Sequence, residues 1–106
     1  MKILLDECVP VQLRNVLLNQ DVQSATSPAW RGLSNGELLL RAESEGFDLI
    51  IIAHKNMRYQ QALSNRRVAI LGLWTNHRPT LEDHSEYIRA AAERITPCGY
   101  LVLVAP

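Results

Sequence analysis

The chain has 106 residues, and its 11 Lys and Arg balance its 11 Asp and Glu. That length suits one domain able to bury a core without staples, and a zero formal charge leaves nucleic-acid binding to a local basic patch. Cys8 and Cys98 fit no metal-ligand spacing, and neither a signal-peptide core nor an apolar run of spanning length occurs. The expectation is a reduced, cytoplasmic protein that does not enter a membrane.

The opening run Lys2–Leu5 reads as a buried strand ending on two adjacent acids, Asp6 and Glu7, with Pro10 set to start a helix. Leu13, Val16 and Leu17 recur at helical spacing, so the sequence predicts a helix from Pro10 to about Asn19. Asp21–Ala25 is a short edge strand, and Thr26 to Leu33 is a loop containing Pro28, Trp30 and Gly32. Ser34 and Glu37 have the spacing of a capping box, opening a helix that Gly46 ends in the left-handed conformation.

Asp48–Ala53 is an uninterrupted branched apolar run suited to a central parallel strand. A polar loop and short helix follow, from His54 to about Asn65, and then a second apolar strand, Val68–Leu73. Thr80 is positioned to cap a longer helix carrying Leu81, Ile88, Ala91, Ala92 and Ile95, which Pro97 and Gly99 stop. Tyr100–Val104 is the last strand. Strands alternating with helices make the class α/β, with a mostly parallel five-stranded sheet in the order 2-1-3-4-5 and helices on both faces.

That topology sends Asp6 and His54 to one crevice at the carboxyl ends of neighbouring strands. Two adjacent acids there repel each other unless a cation or hydrogen bonds offset the repulsion, and their oxygens suit Mg²⁺ or Mn²⁺. Glu37 carries two readings, a capping residue and a carboxylate near the crevice. Glu82 and Asp83 are explained by a position in the first turn of the late helix. Arg31, Lys55, Arg58 and Arg78 fall in loops on the crevice edge, where they suit a phosphate backbone, whereas Arg66 and Arg67 belong to the opposite edge. Trp30 either stacks on a base or covers the core. Cys8 lacks a His partner at any recognisable spacing, and its acidic neighbours oppose thiolate formation.

Three blocks together carry a resemblance: Leu4-Leu5-Asp6-Glu7-Cys8-Val9-Pro10, Trp30-Arg31-Gly32-Leu33-Ser34-Asn35-Gly36-Glu37-Leu38-Leu39, and His54-Lys55-Asn56-Met57-Arg58-Tyr59-Gln60-Gln61-Ala62-Leu63. In order and spacing they resemble the PIN-like nuclease toxins of bacterial type II toxin–antitoxin modules, over essentially the whole chain. The resemblance implies a single PIN-like domain, residues 1–106, acting as a Mg²⁺- or Mn²⁺-dependent endoribonuclease. It also implies a cognate antitoxin as partner and RNA as substrate, and leaves homodimerisation open.

Asp6 matches the first metal-binding acid of that family and Glu37 the acid of the second helix, with Glu7 accessory. The third acid is an Asp directly after the central strand, where this chain has His54. Lys55, Asn56, Arg58 and Arg31 are the expected substrate contacts. An imidazole in place of a carboxylate weakens a Mg²⁺ site and biases it toward softer ions. His54 therefore keeps a second reading open, a catalytically inactive PIN-like module that binds an antitoxin or RNA. A phosphoacceptor receiver domain shares the topology, but it needs an Asp where His54 stands.

Overall fold

The computed structural model describes residues 1–53 and 67–106. Its strands are β1 (Lys2–Leu5), β2 (Asp21–Ser24), β3 (Leu49–Ala53), β4 (Ala69–Leu73) and β5 (Tyr100–Val102). They form one sheet in the order β2-β1-β3-β4-β5, and every pairing is parallel. The helices are α1 (Asn35–Ser44), α2 (Arg78–Asp83) and α3 (Ser85–Arg94).

Strand periodicity divides the core into two layers. Ile3, Leu5, Leu49, Ile51, Ala53, Ala69, Leu71 and Leu73 share one cluster with Leu13, Leu81, Ile88, Ala91 and Ala92. That face is therefore covered by α2, α3 and the segment after β1. Leu4, Ile50, Ile52 and Ile70 point the other way and pack with Trp30, Leu38, Leu39, Ala42 and Phe47, the contribution of α1 and its flanking loops. All five residues of β3 and of β4 are buried, as their continuous apolar runs predict for strands covered on both faces. Edge strand β2 instead alternates exposed and half-buried positions.

Two predicted helices come out differently. The stretch from Pro10 to Asn19 is not an α-helix but a five-residue 3-10 turn, Val11–Asn15. Leu13 and Val16 donate their amides three residues back, to Pro10 and Leu13. Arg89 Nε reaches across from α3 to take the Val16 carbonyl at 2.9 Å, an acceptor that a continued helix would have used. Leu13, Val16 and Leu17 are buried all the same, so their spacing reported burial rather than helix type.

The late helix is not one helix capped by Thr80. It is α2 and α3, broken at His84, with His77 at the first N-cap. Thr80 lies inside α2, where its carbonyl accepts from His84 Nδ1 at 2.9 Å. The His84 amide bonds Leu81 instead of Thr80, and its backbone turns out of the helix at φ −118°. Glu82 and Asp83 accordingly sit in the last turn of α2, not in a first turn, and Glu82 is 3.1 Å from Arg78. The last strand also ends earlier, at Val102.

Candidate functional site

β1 ends at Leu5, and the backbone stays tied to the sheet for one residue more: the Asp6 amide donates to the Ile51 carbonyl at 2.9 Å. Asp6 is thereby fixed between β1 and β3, at the carboxyl edge. It is the buried charged residue among the described residues, 4% exposed. Its Oδ2 accepts the Cys8 amide at 3.3 Å, which turns the chain sharply toward Val9 and the core. Cys8 itself is exposed, as is Glu7.

The second wall comes from the loop before α1. Trp30 is buried, edge-on to Phe47 with ring centroids 5.6 Å apart. Of its two readings, the core-covering one is what the structure shows. Arg41 of α1 holds this loop by donating Nη1 to the Ala29 carbonyl and lying 5.4 Å from the Trp30 ring centroid, while its Nε bridges Glu45 at 2.9 Å. Gly32 then turns at φ +78°, a conformation that favours a residue without a Cβ.

The capping box forms as the spacing predicts. Glu37 donates its amide to Ser34 Oγ at 3.2 Å, and Glu37 Oε1 accepts the Ser34 amide at 3.0 Å. The Ser34 amide, and after it the Ser34 hydroxyl, hold the Glu37 carboxyl below the usual carboxylate range. The helix ends as expected too, with Gly46 at φ +83°.

These elements enclose a cavity of about 350 Å³ lined by Asp6, Glu7 and Glu37 together with Trp30, Gly32, Leu33, Ser34 and Leu38. The three carboxylates nominated from sequence thus share one cavity at the carboxyl edge of the sheet. Among the described residues, no Lys or Arg lines it.

Oxygen donors on a rigid strand end and a capped helix suit a small hard cation, and Mg²⁺ commonly takes only one or two protein carboxylates, keeping water and substrate oxygens for the rest. Among the described residues, no group of three or more His, Cys, Asp or Glu side chains draws together tightly enough to enclose a metal by itself.

Of the other candidates, Arg31 is exposed next to Gly32 at the rim. Arg78 is not a loop residue but opens α2, paired with Glu82. Arg67 lies at the opposite edge, as expected. His54, Lys55, Asn56 and Arg58, and the predicted short helix that carries them, lie outside the described residues. Sequence reasoning missed Ser34 as a wall of the cavity and Arg41 as the clamp on its loop; the capping-box spacing was the available signal for Ser34, and Arg41 had none. No helix among the described residues is long and apolar enough to cross a membrane. In comparisons with known proteins, no protein-family model matches this chain, and no curated protein or solved structure matches it either.

Proposed function

We propose that this chain is a PIN-like, metal-dependent endoribonuclease of a toxin–antitoxin module, acting in the cytoplasm and restrained by a small antitoxin protein. The observation that supports this reading is the meeting of Asp6, Glu7 and Glu37 in one cavity at the carboxyl edge of a parallel sheet. Asp6 and Glu37 would hold Mg²⁺ or Mn²⁺, with Glu7 accessory. The ion, when bound, supplies an activated water and charge stabilisation for phosphodiester hydrolysis. The protein's own part is to hold Asp6 at the end of β1 and Glu37 at the capped start of α1. Arg31 at the rim, with Lys55, Asn56 and Arg58, would guide the RNA backbone.

A second reading has its own support. His54 stands where the resembled family has its third acid, and the described carboxylates do not form a metal cage. An inactive module that binds its partner across the same cleft fits both facts. The two readings separate in one assay, cleavage of single-stranded RNA with Mg²⁺ or Mn²⁺ by this chain and by His54→Asp. The nuclease reading expects Mn²⁺-dependent cleavage in both, rising in His54→Asp as the stronger anionic ligand returns. Two folded but inert proteins would move the binding module ahead.

A further inference from the structure

We propose that a second cavity, at the amino edge of the sheet, is a binding site for a small organic ammonium ion with an apolar body. It takes no part in the cleavage proposed above. The cavity measures about 590 Å³, within the range of small-molecule sites, and Phe47, Ala69, Ile95 and Pro97 give it apolar walls. Glu43 of α1 and Asp48 ahead of β3 also line it, and among the described residues Arg67 is the one basic side chain that does. Two carboxylates against one guanidinium favour a cation. Glu43 carries the argument. It is the penultimate residue of α1, where the helix dipole favours positive charge and a carboxylate is misplaced. Its side chain is 20% exposed, and its ion pair among the described residues is a 3.5 Å approach from Arg67, itself 85% exposed. A pair so open to solvent contributes little. Glu43 Oε2 is buried with no hydrogen-bond partner. Gln20 and Tyr100 own the other such atoms among the described residues, but both are uncharged and neither lines this cavity. A buried carboxylate oxygen without a donor is costly, and a donor delivered through the cavity removes that cost. The terminal torsion of a glutamate is soft, so Oε2 can turn to meet it. An ammonium group meets both needs, donating to Oε2 and placing positive charge at the end of α1.

The test is an amide-resolved nuclear magnetic resonance titration of the full chain with 2-phenylethylammonium. 2-Phenylethanol and 3-phenylpropionate serve as neutral and anionic probes of similar shape, and each variant is checked for folding by circular dichroism. The expected result is saturable shifts at the amides of Gly46, Phe47, Ala69 and Thr96, which line the cavity, with the ammonium ion and not with the other two. Glu43→Gln keeps the shape and removes the charge, and should weaken binding roughly tenfold, the equivalent of one charge-assisted hydrogen bond. Arg67→Ala frees the carboxylate from its present contact and should leave binding unchanged or tighter. Equal binding of the alcohol and the ammonium ion, or full affinity in folded Glu43→Gln, overturns the role of the carboxylate and the proposal with it. Preference for 3-phenylpropionate, lost in Arg67→Ala, overturns it in favour of an anion held by Arg67. Shifts at none of these amides overturn the site and leave ordered water as the partner of Oε2.

Discussion

The two edges of one sheet carry cavities of different character. At the amino edge, about 590 Å³ is bounded by Met1, Glu43, Phe47, Asp48, Arg67 and Pro97, among others. Its charges are engaged with each other and with the backbone. Asp48 Oδ2 accepts the Lys2 amide at 2.8 Å, and the Lys2 ammonium donates to the Glu45 carbonyl at 2.7 Å while lying 4.5 Å from the Phe47 ring centroid. Arg67 Nε approaches Glu43 to 3.5 Å. The carboxyl-edge cavity is smaller, about 350 Å³, yet three acidic residues line it and, among the described residues, no Lys or Arg does. Size favours the amino edge and chemistry the carboxyl edge. Charges at the amino edge staple β1, β3 and the end of α1 together, whereas Asp6 and Glu37 at the carboxyl edge accept from backbone amides close by in sequence.

The largest expected effect breaks that contrast at Asp6. On the proposed nuclease reading, Asp6→Asn lowers Mn²⁺-dependent cleavage on the order of 100-fold or more, the loss expected when several kcal/mol of charge stabilisation disappear. The protein stays folded in a thermal melt, because Asn keeps an oxygen able to accept the Cys8 amide. Asp48→Ala should do the reverse. It strips the half-buried start of β1 of an exposed charged acceptor, costing about 0.5–1.5 kcal/mol in a denaturant melt and leaving cleavage per folded molecule unchanged. If Asp48→Ala depressed cleavage as deeply as Asp6→Asn, the division between a structural and a functional edge would be wrong.

That division was partly legible beforehand, for physical reasons that differ by element. β1, β3 and β4 are continuous apolar runs, and a strand covered on both faces leaves little else for such a run to be. Ser34 and Glu37 state the start of α1 in local chemistry alone. From these, strand order and crossover rules carry Asp6 and Glu37 to one edge. The 3-10 turn after Pro10 and the break at His84 were not legible, since each depends on a partner distant in sequence or on a side chain competing with the backbone. Arg89 reaches Val16 from 73 positions away, and His84 takes the carbonyl that its own amide would have used. Nor could spacing reveal that Arg41 clamps the loop carrying Trp30. His54 was legible only as a residue type, and it lies outside the described residues.

The smallest expected effect sharpens the contrast through pH. Glu37 titrates below its ordinary value of 4.5 because the Ser34 amide and then the Ser34 hydroxyl favour its ionised form. A carboxyl depressed in the folded state contributes stability that is present above 4.5 and is lost as pH falls through the depressed folded value. The capping box at the carboxyl edge should therefore loosen in that acid window, seen as faster amide exchange at Ser34 and in the first turn of α1. Glu37→Gln keeps a residue able to complete the box but removes the proton-linked group. Exchange at the Ser34 amide should then become indifferent to pH once the intrinsic acid dependence of exchange is divided out. A Glu37→Gln protein whose Ser34 amide still opened in the same window would assign the opening to a group other than Glu37.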